Sequence, residues 1–300
     1  MRLFFVAIFL LIFAGCGGYV PGDIYVEYTP SPVVPVICYD DVDLPLSHIE
    51  YFPAVPFIPC TIYLGEDCIH YFEIYEIKGT AASLTGIRWD SMRAWRENAR
   101  HLADLHRGVV FVNKDPADSV VFLTFDDGPD PVNTVSVINT LKEYGVSGTF
   151  FFTRENIRRF PDVVRMTYEA GFPIGLHSYS HPHFTNLSAE EIIDELNRTN
   201  DELERITGSR ATIMRPPYGS LDEREIAIIN EMDLAIYLWS LDTLDWAQSD
   251  ANEILRNVQD YLRPGEIILM HAFSGQAMSA AVLPQMIEFI LEMGFEIKGL

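Results

Sequence analysis

Positive charge is scarce: 21 Lys and Arg stand against 43 Asp and Glu, a formal net charge of −22 over 300 residues. So acidic a chain lacks the basic patches that hold phosphate backbones or anionic headgroups. Nucleic acid is excluded as a partner, and so is electrostatic docking on an anionic membrane surface. A neutral substrate fits this charge better. Cysteine is scarce too, at four residues, and no pair has the spacing of a cysteine zinc site. No internal repeat or low-complexity tract is present. What the chain does have, 48% apolar and 21% charged residues, is enough for one large domain, alone or with a small appendage.

The N-terminus reads MRLFFVAIFLLIFAGCGG, with one positive charge at Arg2 and eleven apolar residues from Leu3 to Phe13. Eleven is too few to span a bilayer but matches the core of a secretory signal. Cys16, directly after Ala14-Gly15, resembles the bacterial lipoprotein box, in which the cysteine is lipidated and becomes the mature N-terminus; Phe13 departs from the smaller aliphatic residue usual there. The expectation is export, with residues 1–16 as signal and lipoprotein box and the membrane as partner through lipidated Cys16. The alternative is a plain signal peptide and a periplasmic or secreted product. Export permits disulfides. Cys60 and Cys68 flank TIYLGED, which suggests a hairpin-closing bridge and leaves Cys38 over.

Residues 17–116 form an N-terminal extension in this reading. From Tyr19 to Pro59 its proline spacing disfavours helix and central strand, and predicts an extended tether or lid. TIYL and CIHYFEIYEI around Gly65-Glu66-Asp67 predict a hairpin. Asp90 is placed as the cap of a helix whose apolar stripe runs Met92, Trp95, Ala99, Leu102 and Leu105 or His106, with Gly108 ending it. From about residue 117 to 300 the pattern becomes regular. Strand-like runs (SVVFLTF, GTFFF, FPIGL, ATIMR, LAIYLW, EIILM, FEIKGL) alternate with helical stretches at 132–144, 161–170, 188–207, 222–231, 250–261 and 279–293. Such alternation implies an α/β fold with a parallel sheet long enough to close into a barrel. Gly145, Gly171, Gly208 and Gly294 follow helical runs, as C-terminal caps do.

Polar clusters fall at the ends of these strands: Asp126-Asp127, HSYSHPH, RPPYG, SLDTLDW and His271. In a parallel barrel they open onto the one face where barrel enzymes keep their sites. His177 and His181, four apart, present nitrogens to one side if they lie on a helical turn. Two imidazoles and a carboxylate suit zinc with one position left open, and cobalt or nickel could substitute. Adjacent carboxylates raise each other's pKa unless compensated. The metal would neutralise Asp127 and leave Asp126 free to take a proton from water. The rival reading of DDGPD as a calcium loop lacks the alternating oxygen ligands and terminal glutamate of an EF-hand. His183 reads as a bystander.

TFDDGPD, HSYSHP, RPPYG, DTLDW and LMH, in that order between Ser119 and Leu300, resemble the polysaccharide deacetylase family, the NodB-homology group of carbohydrate esterases. The resemblance implies a distorted (β/α) barrel and metal-dependent removal of N- or O-acetyl groups from sugar polymers. It implies Asp126 as general base and Asp127, His177 and His181 as metal ligands. It further implies His271 as the acid that protonates the leaving amine, Arg215 as orienter of the base, and Asp245 as the group that holds His271. Pro216 and Pro217 lack N–H groups, so Tyr218 offers the first free amide as an oxyanion donor. Trp246 and Leu269 suit the walls of an acetyl pocket. Three departures stand out: Arg154 replaces the usual glycine of FFxxGxN, Leu176 precedes His177, and Ala272 follows His271.

The expected activity is hydrolysis of N-acetyl groups on an N-acetylglucosamine-containing polymer such as peptidoglycan, a chitin-like chain or a biofilm glycan. The alternatives are an O-acetyl esterase of the xylan type, or a catalytically silent glycan-binding lipoprotein. The sequence does not decide oligomeric state.

Overall fold

The computed structural model describes residues 25–27, 36–39, 60–64, 67–273, 275 and 277–300, the first three segments and 67–71 by their backbone alone. The signal and lipoprotein reading of residues 1–16 lies outside the described residues, as does most of the proline-rich tether. Among the described residues no helix is long and apolar enough to cross a membrane. The chain divides into two compact units, 1–73 and 74–300.

The first unit holds a four-stranded sheet of β1 (Tyr25–Glu27), β2 (Val36–Tyr39), β3 (Cys60–Leu64) and β4 (Asp67–Tyr71), in that order. β3 and β4 pair antiparallel as the expected hairpin does, with Asp67, expected in the turn, already in β4 opposite Leu64. Its register pairs Cys60 with Tyr71 and Cys68 with Tyr63, three residues apart along the ladder. At about 3.3 Å per residue that offset exceeds the Cα separation a disulfide spans, so the backbone does not favour a Cys60–Cys68 bridge.

The second unit begins well before residue 117. Helix α1 (Ile87–Leu105) and strand β5 (Val110–Phe111) belong to it, because β5 pairs with β10 of the large sheet. Gly86 caps α1, so Asp90 lies in the first turn rather than at the cap. Ala99, Leu102 and Ala103 are its buried face, and Leu105 points outward at 55% exposure. The remaining elements are β6 (Val120–Asp126), α2 (Asn133–Tyr144), β7 (Thr149–Phe152), α3 (Arg154–Arg159), α4 (Pro161–Glu169), β8 (Ile174–Leu176) and α5 (Ala189–Thr207). After them come β9 (Ile213–Met214), α6 (Glu223–Asn230), β10 (Ala235–Tyr237), β11 (Leu241–Asp242), α7 (Ala251–Tyr261), β12 (Ile267–His271), α8 (Ala277–Glu292) and β13 (Glu296–Lys298).

The strands run parallel in the order β11-β12-β6-β7-β8-β9-β10-β5, with β13 beside the start of β6. β6, every residue of which is buried, pairs with β12, β7 and β13, and helices pack against the curled sheet. This is the distorted (β/α) barrel. Apolar runs rather than alternating patterns mark β6 and β7 because both of their faces are covered. Phe125, Phe150, Phe151 and Phe152 have no exposed surface, each contributing about 1.5–3 kcal/mol by burial. All four expected glycine caps sit at positive φ, and Ser188 and Glu191 close a reciprocal capping box on α5.

Candidate active site and metal centre

Register brings the first polar pair together. His271 at the end of β12 lies directly beside Asp126 at the end of β6, and Leu269 beside Thr124. With a side-chain period of two, Thr124, Asp126, Leu269 and His271 share one face. Asp126 is buried and pairs through Oδ1 with Arg215 Nη1 at 2.8 Å. Arg215 is fully buried: the same Nη1 also donates to Thr124 Oγ1, Nε donates to Tyr237 O and Nη2 to Leu238 O, at 2.8–2.9 Å. Its guanidinium carbon lies 4.3 Å from the Phe151 ring centroid and 5.5 Å from that of Trp239. Burial lowers the Arg215 pKa, and Asp126 opposes that shift.

β6 stops at Asp126, and Asp127 turns to a left-handed φ of 69°. Asn156 Nδ2 holds the Asp127 carbonyl at 2.8 Å. The Gly128–Pro129 bond is cis. A Cβ on Gly128 would come 2.7 Å from the Phe152 ring, so only glycine lets the turn pack down there. The reversal aims the Asp127 carboxylate at the histidines. Asp127 Oδ1 lies 3.4 Å from His177 Nε2 and 3.1 Å from His181 Nε2, while the two imidazole nitrogens are 3.2 Å apart.

The histidines do not sit on a helical turn. Ser178 and His181 both have left-handed φ (65° and 61°), which no α-helix accommodates, and Pro182 disfavours the α region for His181. The loop reaches the same convergence by another route. His177 Nδ1 is 2.8 Å from Arg215 O, a bond the imidazole donates, so its Nε2 lone pair points at the cluster. Asp127, His177 and His181 offer three ligand atoms within 4.8 Å of one another. One carboxylate oxygen and two nitrogens with an open side fit a divalent ion. Burial would raise the Asp127 pKa, yet both imidazoles hold it well below the usual carboxylate range.

Across the site, Asp245 Oδ1 meets His271 Nδ1 at 2.7 Å, and Asp245 also accepts the His271 N–H (2.8 Å), the Trp246 N–H (2.9 Å) and the Ser279 hydroxyl. Burial alone would lower the His271 pKa, but the Asp245 charge and hydrogen bond, with Asp127 and Asp126 behind them, push it up to about 10. Asp242 Oδ1 accepts the N–H of Leu244 at 2.9 Å and steadies that left-handed residue (φ 54°) just ahead of Asp245. Burial pushes Asp242 itself up to about 6, against the pull of Arg96.

Tyr218 follows the two prolines at φ 60° and is 55% exposed, and Trp246 is 46% exposed, so both offer ring surface to a ligand. His183 stands outside the ligand cluster, as expected, and its ring stacks on Tyr218 with centroids 4.0 Å apart and planes 15° apart. Two further residues join the site without any motif to announce them. Trp95 on α1 packs on Trp239 at 4.9 Å and donates to Gly219 O at 2.9 Å, which braces the RPPYG turn. Ser279 in α8 holds Asp245. The apolar stripe of α1 was the one sequence signal for Trp95; a serine in a helix carries none. Arg154 faces Glu202 at 3.6 Å and lies over the Tyr179 ring at 4.5 Å, so its contacts here are with the protein.

Comparison with known proteins adds to this geometry. The profile of the polysaccharide deacetylase family matches residues 113–237. A solved peptidoglycan N-acetylglucosamine deacetylase in complex with an N-hydroxybenzamide is 31% identical, superposes with a TM-score of 0.64, and is matched over 66% of this chain and 94% of its own. The chain belongs to the polysaccharide deacetylase family. A peptidoglycan-N-acetylglucosamine deacetylase of Bacillus cereus is 36% identical over 162 residues, 54% of this chain and 59% of the relative, so the match spans somewhat over half of that relative's length. A solved CE4-family pseudoenzyme from Bacillus anthracis is 25% identical with a TM-score of 0.61, covering 70% of this family member and 80% of the neighbour.

Proposed function

We propose that this chain removes N-acetyl groups from an N-acetylglucosamine-containing polysaccharide, with peptidoglycan as the first candidate, using a divalent metal held by Asp127, His177 and His181. One observation carries the reading. A buried carboxylate tied to arginine (Asp126–Arg215), a three-atom ligand cluster and a carboxylate-held imidazole (Asp245–His271) all open on one face, with Asp126 and His271 side by side. The relatives named as peptidoglycan N-acetylglucosamine deacetylases support the choice of polymer.

With Oδ1 engaged by Arg215, Asp126 has Oδ2 left, 3.8 Å from His177 Nε2, to take a proton from a water at the cluster. A bound divalent ion, zinc by its donor set, would polarise the acetyl carbonyl and acidify the attacking water. The Tyr218 N–H is the donor for the developing oxyanion. His271, its Nδ1 fixed by Asp245, gives the proton on Nε2 to the leaving nitrogen. Trp246 is the exposed apolar surface offered to the acetyl methyl, and Leu269, buried on the same face as His271, would back it.

The test is acetate release by the metal-loaded chain from peptidoglycan, chitooligosaccharides, poly-N-acetylglucosamine and acetylated xylan. Release from an N-acetyl polymer is the expected result. Release from xylan alone would make this an O-acetyl esterase, and none from any substrate would favour a silent glycan-binding protein. The proposal extends to location: export and anchorage through lipidated Cys16, driven by acyl-chain burial. Cys16→Ser is then expected to leave the membrane fraction.

A further inference from the structure

The loop carrying His177 and His181 is held from outside. Ser178 and His181 occupy the left-handed region, where L-residues stay only if their surroundings fix them. His177 is fixed on its own account, following β8 directly and bonded to Arg215 O. His181 depends on the loop. Within it, Ser178 Oγ accepts the His181 N–H at 3.0 Å. From the start of α3, the N–H groups of Arg154 and Glu155 reach Ser178 O (3.0 Å) and Tyr179 O (3.4 Å).

Besides the edge contact of His181 with the Tyr218 ring at 4.5 Å, a further hold comes from one carboxylate on α5. Glu195 Oε2 accepts the N–H groups of Tyr179 (2.6 Å) and Ser180 (3.0 Å), and its Oε1 accepts the Ser180 hydroxyl (2.9 Å). Three donors from two adjacent residues thus converge on one anionic group, and charge-assisted bonds of this kind are roughly twice as strong as neutral ones. The guanidinium groups of Arg154 and Arg198 lie 4.5 and 4.3 Å from the Tyr179 ring centroid, adding cation–π contact to the same residue. The glycine-to-arginine departure at 154 therefore falls on this brace.

We propose that Glu195 is a positioning residue of the metal centre: it fixes the Tyr179-Ser180 backbone and thereby sets where His181 Nε2 stands relative to His177 and Asp127. The inference rests on the metal-centre reading above. Glu195 touches neither substrate nor ligand atoms, so its effect is expected on metal binding through geometry, as for other groups that orient ligands from behind.

The experiment titrates the metal-free full chain with Zn2+ against a chromophoric chelator, and separately with Co2+ while its visible band is recorded. Wild type, Glu195→Ala, Glu195→Gln and the exposed same-helix control Glu190→Gln are compared, with metal-free melting midpoints measured for all four. Glu195→Ala is expected to lose about 10–100-fold in Zn2+ affinity and to alter the Co2+ band. Glu195→Gln, which keeps one acceptor oxygen, should lose less, and Glu190→Gln should match wild type. The Gln variant should melt with wild type when metal-free, and it carries the test alone if the Ala variant fails to fold. Wild-type affinity and band in the Glu195 variants would overturn the proposal. So would an affinity loss accompanied by a lowered metal-free midpoint in Glu195→Gln, because Glu195 would then be a plain fold brace. A wild-type chain that takes up neither Zn2+ nor Co2+ would remove the underlying metal reading itself.

Discussion

The two sides of the site are both built from aspartate and histidine, and they differ in where the carboxylate stands. On the β12 side Asp245 lies behind His271, at Nδ1, and its oxygens are occupied by four protein donors. The imidazole is pinned, and its pKa is pushed up to about 10 against the effect of burial. On the β6–β8 side Asp127 lies in front of the imidazoles, at Nε2, while a backbone carbonyl stands behind His177. Under the proposed function, the carboxylate behind the imidazole serves a proton donor and the carboxylate in front completes a ligand set. The same pair of residue types takes two roles through position alone.

Removing a ligand should break the comparison most severely. His181→Ala is expected to cost about 10³-fold or more in turnover, the scale of Lewis-acid stabilisation, and elemental analysis should show strongly reduced metal. Stoichiometric metal in that variant would strike His181 from the set. Asp126→Asn, one residue from a ligand, should separate the two functions. Turnover is expected to fall about 10²–10⁴-fold with metal content at wild-type level. Loss of metal there would mean that the adjacent carboxylates are not divided as described.

Asp245→Asn sharpens the other side. A histidine whose folded pKa lies above its free value of 6.5 contributes stability that is complete below about 6.5 and lost as pH rises through about 10. The same shift keeps His271 protonated as an acid, so the basic limb of the wild-type rate profile should lie above 6.5. A cation held by Asp127, His177 and His181 would offset part of that shift and keep the limb below 10. In Asp245→Asn the limb should move down toward free imidazole, and the stability advantage of neutral over alkaline pH should shrink. Superimposable pH profiles would disprove the coupling. The smallest effect is expected from Gly219→Ala. Its Cβ would meet Trp95 at 2.4 Å from a φ of +61°, which should cost about 1–3 kcal/mol, read as a lowered melting midpoint with metal content unchanged.

Much of the site was legible because strand ends announce themselves. An apolar run that stops at charged or aromatic residues marks both the buried strand and the face it opens on, so Asp126, Asp127, His271 and the RPPYG and SLDTLDW clusters could be placed in advance, while the choice of Arg215 and Asp245 within those clusters came from the family resemblance. The beginning of the second unit was not legible. β5 is two residues long and α1 follows the proline-rich stretch, so local pattern assigns both to an appendage. Only pairing with β10 and the packing of Trp95 place them in the barrel. The His177–His181 spacing was legible as a ligand pair but misleading as helix, because i,i+4 spacing is also met by a loop with two left-handed residues.

The sequence by itself determined the order of the strands along the chain, the buried character of β6 and β7, the glycine-capped helix ends and the residue types available at the open face. Local propensity and the run lengths of apolar residues are enough for that. Tertiary structure decided which side of each imidazole a carboxylate occupies, and that His271 stands beside Asp126. It also decided that Glu195, Trp95 and Ser279, from three different helices, reach loops far from them in sequence. Register and reach are properties of the packed sheet and its helices, and no window of the chain contains them.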